Sequence, residues 1–242
     1  MGLLDRTAQS LAAIVLLAGL AAAATPGRAG AEPAPVIAAA SDLQFALTEV
    51  AEAFRKETGA SVKLAFGSSG NLTRQLRQGA PFQVFFAADE SYVEELSRDG
   101  ILRDTGDLYG VGRIALIVPH GSPLQADGSL ADLGAALADG RLERFAIANP
   151  EHAPYGKRAE EALRHAGLWD ALAGKLVLGE NVTQAARFAT SGTTQGGIIA
   201  YSLALAPRIA ALGTSALIPE DWHRPLRQRM ALASNAGPLA ER

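Results

Sequence analysis

Four short polar turns carry the residues of this chain that could do chemistry. Each turn follows an apolar run and precedes an amphipathic stretch. They are Ala40-Ser41-Asp42, Gly67-Ser68-Ser69-Gly70, Asn149-Pro150 through Tyr155-Gly156, and Glu180-Asn181-Val182. A helix start presents backbone N–H groups without intrahelical partners and about half a positive charge, so it holds an anion without Lys or Arg. If two or more of these turns converge, they form an oxyanion site of neutral donors.

The donors available in these turns narrow the class of anion. Backbone N–H groups and hydroxyls suit a fully ionised tetrahedral dianion such as sulfate, molybdate or tungstate, because such an ion offers only acceptors. Burying an anion against a full positive charge would add a desolvation cost for both partners. Protonated phosphate needs an acceptor as well. Asp42 is the nearest one in the sequence, so phosphate is disfavoured rather than excluded.

Each turn also has a purely local interpretation as a helix cap. A Ser or Asn before a helix is usually an N-cap worth about 1 kcal/mol, and Ser41 with Gln44 three residues later fits a capping box. Two details favour a binding site instead. Gly70 lets a ligand approach the backbone closely, and the Tyr155 hydroxyl is placed to point into a cleft.

The elements around the turns alternate between strand and helix, which predicts an α/β fold with mainly parallel sheets. In the first half we predict strands over 36–40, 61–66, 82–88 and 112–119, and helices over 43–58, 71–78 and 90–98, the first closed by Gly59. In the second half we predict helices over 130–138, 156–166 and 182–191, and strands over 144–148, 175–178 and 196–201.

This pattern predicts two α/β lobes with a ligand cleft between them. Lobe 1 comprises residues 32–113 together with 205–242, and lobe 2 comprises residues 114–204. Residues 207–213 and 217–219 are predicted to return to the first sheet. The last five residues, 238–242, have room for at most one helical turn.

The N-terminus predicts export from the cytoplasm. Arg6 precedes an apolar run over 11–24, and Ala29-Gly30-Ala31 fits a signal-peptidase site, so residues 1–31 are predicted to be a signal peptide cleaved near Ala31. The chain has no cysteine, which excludes disulfides, thiolate nucleophiles and thiolate metal sites. Its net charge of −3 argues against a nucleic-acid partner.

Sequence motifs for catalysis are missing. There is no G-x-S-x-G, G-x-x-x-x-G-K-[ST] or G-x-G-x-x-G pattern, and the four histidines lack zinc-type spacing. We therefore predict a protein that is not an enzyme, with no cofactor. One alternative stays open, a secreted hydrolase that pairs Ser69 with a histidine such as His152.

Five motifs in a fixed order give the chain a family resemblance. They are Ala38-Ala-Ala-Ser-Asp-Leu43, Phe66-Gly-Ser-Ser-Gly-Asn-Leu72, Gly79-Ala-Pro-Phe82 with Ala87-Ala-Asp-Glu90, Ala148-Asn-Pro-Glu-His-Ala-Pro-Tyr-Gly156 and Gly179-Glu-Asn-Val182. From about residue 36 to about residue 230, the chain resembles the periplasmic molybdate-binding proteins of bacterial ABC importers. The resemblance implies a type II periplasmic-binding-protein fold whose lobes close on the anion.

The resemblance also implies a set of anion-binding residues. Ser41 and Ser69 match the family's oxyanion-binding serines of the first lobe. Tyr155 and Val182 match positions of the second lobe, Val182 through its backbone N–H. A late tyrosine ligand of some members falls on Ala200, beside Tyr201, so Tyr155 is expected to replace it. Molybdenum would be held as molybdate, without direct metal ligands.

The function implied is a monomeric periplasmic solute-binding protein. It would capture molybdate, and also tungstate, and deliver it to the membrane permease of an ABC importer. A binder of another oxyanion, such as sulfate or thiosulfate, is the alternative within the same class. Family members usually continue into a final helix packed on the first lobe, which this chain is expected to lack beyond a first turn.

Overall fold

Strands and helices alternate from Val36 onward, as the sequence pattern predicts. The computed structural model describes residues 33–242, so the predicted signal peptide over 1–31 and its cleavage near Ala31 lie outside the described residues. The strands are β1 (Val36–Ala40), β2 (Lys63–Gly67), β3 (Phe82–Ala87), β4 (Asp107–Gly112), β5 (Ile114–Pro119), β6 (Phe145–Ala148), β7 (Leu176–Gly179), β8 (Gly197–Ala200), β9 (Gly213–Leu217) and β10 (Leu226–Leu232).

The helices lie between these strands and pack on the sheets. They are α1 (Gln44–Thr58), α2 (Ser69–Arg77), α3 (Glu90–Arg98), α4 (Ala131–Asp139), α5 (Pro154–His165), α6 (Val182–Thr190), α7 (Tyr201–Leu205) and α8 (Pro207–Ala210). Short 3-10 helices occupy Ser41–Leu43, Asp170–Leu172 and Glu220–Trp222. No helix within residues 33–242 is long and apolar enough to cross a membrane.

Two five-stranded sheets form the centres of two lobes. The first sheet has the order β2-β1-β3-β10-β4, with β1, β2 and β3 parallel and β10 antiparallel to both of its neighbours. The second has the order β7-β6-β8-β5-β9, with β5 antiparallel to β8 and β9. Each sheet has its own core, built around Phe85 and Leu96 in the first lobe and around Phe145 and Ile147 in the second.

The path of the chain after residue 205 differs from the prediction. The prediction that residues 207–213 and 217–219 return to the first sheet is wrong, because β9 pairs with β5 in the second sheet. The reason is the burial of β5, whose six residues are all buried. A fully buried strand needs hydrogen-bonding neighbours on both edges, and β9 supplies the second one. The chain re-enters the first sheet only with β10.

Helix boundaries follow local rules at one end of α1 and tertiary contacts at the other. Gly59 ends α1 in the left-handed conformation, with φ of 73°, and its N–H donates to the Arg55 carbonyl, as predicted. The predicted capping box at Ser41 and Gln44 is wrong. The chain first forms the 3-10 helix over Ser41–Leu43, and no side-chain cap bond occurs there. The Ser41 hydroxyl is used by the other lobe instead.

The four polar turns lie at equivalent places in the two lobes. They follow the carboxyl ends of β1, β2, β6 and β7, and each leads directly into a helical turn. In each lobe these are two adjacent parallel strands. Loops at the carboxyl ends of parallel strands are where α/β sheets bind ligands, so this topology brings the turns of each lobe together.

Candidate functional site

The four turns from the two lobes meet around one small cavity. Its lining comprises Ala40, Ser41, Asp42, Gly67, Ser68, Ser69, Ala88, Ala153, Pro154, Tyr155 and Val182. The cavity has a volume of about 10 Å³, which is room for about one water molecule. A tetrahedral oxyanion is larger, so the walls of the closed site must lie slightly farther apart when one is bound. The predicted convergence of the turns is confirmed.

The two serines of the first lobe both have a proton to donate. The Ser69 hydroxyl oxygen accepts the N–H of Ala88 at 3.0 Å. The Ser41 hydroxyl oxygen accepts the N–H of Thr183 at 3.3 Å, and the Thr183 hydroxyl donates to the Ser41 carbonyl at 2.8 Å. A hydroxyl that already accepts from a backbone N–H keeps its own hydrogen for another acceptor. Both serines are therefore suited to donate to an anion.

The second lobe contributes two helix starts. Helix α5 begins at Pro154, which has no N–H, so Tyr155 supplies the first free N–H of that helix. Helix α6 begins at Val182, and the Asn181 side chain caps it by accepting the N–H of Gln184. The cap leaves the Val182 N–H without an intrahelical acceptor. Both helix starts border the cavity and place positive partial charge there.

The Tyr155 hydroxyl is used differently from the prediction. It does not stand free in the cleft but donates to Asp42 Oδ2 at 3.0 Å and accepts from Gln228 Nε2 at 2.9 Å. Burial raises the pKa of Tyr155 well above its ordinary value, and the negative charge of Asp42 raises it further. The hydroxyl therefore stays protonated and joins the two lobes. The part of Tyr155 that is left for a ligand is its backbone N–H.

Asp42 is buried beside the serines, with its two carboxyl oxygens in different surroundings. Oδ2 accepts from Tyr155 and, at 3.2 Å, from Gln228 Nε2, whereas Oδ1 is buried without a hydrogen-bond partner. Burial raises the pKa of Asp42 to about 6, although the two hydrogen bonds to Oδ2 act in the opposite direction. An acid inside an anion site with a pKa near neutrality can change its charge in the working range of pH.

Two predicted site residues are not brought to the cavity. Ala200 ends β8 in the core of the second lobe, and Tyr201 begins α7 with its N–H donating to the Arg113 carbonyl. Neither residue lines the cavity. Conversely, the structure adds Gln228 of β10, which the sequence did not single out. The one feature of the sequence that could have indicated Gln228 is that a polar residue occupies an inward-facing position of a strand.

His152, the histidine of the hydrolase alternative, pairs with Ser68 and not with Ser69. His152 Nδ1 lies 2.9 Å from Ser68 Oγ, while the Ser69 hydroxyl is engaged with Ala88. The distance from His152 Nε2 to Glu180 Oε2 is 3.7 Å, too long for the hydrogen bond that orients a catalytic base. A Ser69–His152 pair is therefore not formed. Within residues 33–242, no three His, Asp or Glu side chains cluster as a metal site would need.

Gly70 is required for a contact between the lobes, where the sequence predicted an approach to a ligand. The Gly70 N–H donates to the His152 carbonyl at 3.0 Å, and a Cβ at position 70 would lie 2.7 Å from that oxygen. Asn71 hydrogen-bonds Glu180 nearby. Further along the cleft, Arg158 of α5 forms a 2.6 Å ion pair with Asp89 of the first lobe. These contacts hold the two lobes together around the cavity.

Two α/β lobes that meet at paired helix starts define a class, the ligand-binding proteins of type II periplasmic-binding fold. Comparison with known proteins supports it. The family model described as bacterial extracellular solute-binding protein matches residues 35–242. The chain is 34% identical to the molybdate-binding protein ModA of Rhodobacter capsulatus, over 91% of this chain and 81% of that protein. It is 33% identical to ModA of Escherichia coli, over 90% and 84%.

A solved structure agrees with these relatives. The periplasmic molybdate-binding protein of Azotobacter vinelandii superimposes with a TM-score of 0.73 and 29% sequence identity, covering 86% of this chain and 88% of that one. The chain therefore belongs to the bacterial extracellular solute-binding proteins, and among them to the ModA family of molybdate-binding proteins. The relatives named here are molybdate-binding proteins.

Proposed function

We propose that this protein binds molybdate, and also tungstate, in the periplasm and delivers it to the membrane permease of an ABC importer. The observation that carries the proposal is one cavity lined by two hydroxyl donors of the first lobe and two helix starts of the second. The relatives named above support the choice of anion. We further propose that the protein acts as a monomer after cleavage near Ala31, without a cofactor or a nucleic-acid partner.

Ser41, Ser69, Tyr155 and Val182 are the proposed anion contacts. In the part of the chain that the structure describes, no Lys, Arg or His side chain lines the cavity. Fixed neutral donors are already partly desolvated, so they bind a doubly charged anion without the cost of burying a counter-charge. Because donors come from both lobes, the anion binds the closed arrangement more tightly than the open one and shifts the protein toward closure.

Isothermal calorimetry on the protein without residues 1–31 tests the proposal. We expect heat on adding molybdate or tungstate, and none or much less with sulfate and thiosulfate. Absence of a molybdate signal together with clear binding of sulfate would replace molybdate by the smaller anion. Hydrolysis of ester substrates that disappears in Ser68→Ala or Ser69→Ala would instead favour the enzymatic alternative.

Removing both serine hydroxyls is expected to weaken molybdate binding strongly. A hydrogen bond to a charged group contributes roughly 1.5–3 kcal/mol, so Ser41→Ala with Ser69→Ala lowers the affinity by about two to four orders of magnitude. Calorimetry measures this loss, with Ser61→Ala at an exposed position as the matched control. Because each hydroxyl oxygen also accepts a backbone N–H, the variant without ligand should lose roughly 1–3 kcal/mol of stability per unpaired N–H but remain folded. A large loss of folding stability with unchanged affinity would assign the hydroxyls a purely structural role.

A methyl group on Gly70 is expected to hinder closure. The Cβ of Gly70→Ala would lie 2.7 Å from the His152 carbonyl oxygen and 3.0 Å from its Cα, which are backbone atoms of the opposite lobe. We expect roughly tenfold or weaker molybdate affinity, because closed-state contacts are lost. Gly134→Ala in α4, where a Cβ would make an ordinary 3.4 Å contact, is the control. Equal affinities of both variants and the parent would show that Gly70 does not limit closure.

A further inference from the structure

One buried carboxyl oxygen beside the cavity lacks the partner that its neighbours have. Asp42 lines the cavity and is 4% exposed. Its Oδ2 accepts two hydrogen bonds, from Tyr155 and Gln228, but Oδ1 accepts none. Buried polar atoms are nearly always paired. Because both donors occupy Oδ2, Oδ1 is the carboxyl oxygen that is free to carry a proton beside the cavity.

We infer that Asp42 selects the bound oxyanion by its proton content, so that a fully ionised dianion binds together with one proton taken up by Asp42. The inference rests on the proposed function. Two negative groups cannot share this buried site without a proton between them. A bare dianion such as molybdate requires protonated Asp42, which then donates from Oδ1. Hydrogen phosphate brings its own proton and can donate it to ionised Asp42.

None of the side chains that contact Asp42 changes its charge near neutral pH, so Asp42 is the group at this site that titrates. From α5, β4 and β10 it is approached by Tyr155, Tyr109 and Gln228; burial raises the pKa values of both tyrosines above their ordinary value, so they stay neutral. From α7, Ser202 donates to the Asp42 carbonyl. The ionic side chains of these elements are paired with other groups or exposed. Arg158 pairs with Asp89 and Glu161, Glu160 with Arg164, and Arg227 and Arg229 with Glu90, while Lys157, His165 and Asp107 are exposed. On α6, which also packs on the turn of Asp42, Arg187 is exposed.

The remaining titratable group near the lining is His152, which contacts Ser68 through Nδ1. Its partner is a hydroxyl of the cavity wall, and no hydrogen bond joins the imidazole to Asp42. The Asp42 carboxyl is also the only ionic side chain among the residues of the lining that the structure describes. A proton exchanged on binding is therefore assigned to Asp42.

The way in which molybdate affinity changes with pH follows from the charge of the Asp42 carboxyl before binding. The pKa of Asp42 is about 6, so below that pH the proton is already present and molybdate affinity is independent of pH. Above it, each bound dianion must take up a proton, and the affinity falls by up to about tenfold per pH unit. The affinity for hydrogen phosphate relative to molybdate rises over the same range.

Calorimetry in buffers of different ionisation enthalpy measures the proton directly. We expect the protein to take up close to one proton per molybdate at about pH 8 and close to none at about pH 5. Asp42→Asn, whose amide always offers a donor, should bind molybdate with the same affinity across this range and without proton uptake. Ser69→Ala is the matched control. It should bind molybdate more weakly at every pH but retain the proton uptake.

The outcomes separate this inference from the proposed function. If molybdate does not bind the parent protein at any pH, the proposed function fails. If molybdate binds the parent with constant affinity and no proton uptake between about pH 5 and about pH 8, the proposed function stands and the role of Asp42 is refuted. The measurement on the parent protein decides this even if Asp42→Asn does not fold. Proton uptake that persists in a folded Asp42→Asn would refute it too.

Discussion

Asp42→Asn is expected to raise the free energy of unfolding by about 2–3 kcal/mol near pH 7. Burial raises the pKa of Asp42 from 3.8 to about 6 in the folded protein, and each unit of pKa corresponds to about 1.4 kcal/mol. The folded state thus binds more protons than the unfolded state between about pH 4 and about pH 6. Stability contributed by protonated Asp42 is present below about pH 4 and is lost as the pH rises to about 6. Asparagine cannot ionise, so this loss is absent.

Urea denaturation of the two proteins at several pH values checks this expectation. The gain in stability should be small near pH 4, grow up to about pH 6 and remain constant above it. Asp107→Asn, at an exposed position of β4, is the matched control and should change stability by less than about 0.5 kcal/mol. If Asp42→Asn is no more stable than the parent at neutral pH, the carboxylate is better solvated than its burial implies.

A stability cost at Asp42 has a functional meaning when the other site residues are considered. Ser41 and Ser69 are satisfied by backbone N–H groups of Thr183 and Ala88, and Tyr155 is satisfied by Asp42 itself. Among the side chains that line the cavity in the described part of the chain, only the Asp42 carboxyl keeps a buried atom without a hydrogen-bond partner. Unpaired polar groups are retained where a ligand or a proton completes them. The side chain that costs the folded protein most at this site, Asp42, is therefore the one that we expect to exchange a proton when the anion binds.

Much of the fold could be predicted because its signals are local. Helix stops such as Gly59 and the four turns depend on residues close together in sequence, and the structure places them as expected. The apolar strand predicted over 112–119 is found as Ile114–Pro119, whereas Gly112 ends β4, a strand of the first sheet that was not predicted. Strand β9 could not be predicted in the same way. Its residues alternate weakly between apolar and polar, and its place is decided by the edge of β5, about 100 residues earlier.

In the candidate site, too, the local features could be predicted and the long-range contacts could not. Ser41, Ser69, Tyr155 and Val182 were recognisable because each stands in the first turn of a helical element that follows a strand. The pairing of Asp42 with Gln228 joins residues far apart in the sequence, and the pairing of His152 with Ser68 rather than Ser69 depends on how the lobes meet. Contacts between lobes have no local signal. For this reason the Ser41 hydroxyl was predicted to cap its own helix but accepts the N–H of Thr183 from the other lobe. The Tyr155 hydroxyl was predicted to point into the cleft but donates to Asp42.

Arg158→Met is expected to destabilise the protein by about 3 kcal/mol and to weaken molybdate binding. The Arg158 side chain is 4% exposed and forms ion pairs with Asp89 at 2.6 Å and with Glu161 at 2.9 Å. Asp89 belongs to the first lobe and Arg158 to the second. Removing one member of a buried ion pair leaves the other charge without compensation, which usually costs about 3–5 kcal/mol. Because Glu161 keeps Arg224 as a partner, we expect the loss of stability to lie at the lower end of this range.

The second effect separates this contact from an ordinary structural ion pair. Because the Arg158–Asp89 ion pair joins the two lobes, its loss is expected to disfavour closure, and molybdate affinity should fall by roughly tenfold or more. Arg164→Met removes the same side chain from an exposed position of the same helix, where Arg164 pairs with Glu160. It should change stability by about 0.5 kcal/mol or less and leave the affinity unchanged. Reduced stability with full affinity in Arg158→Met would show that the pair supports the folded lobes but not their closure.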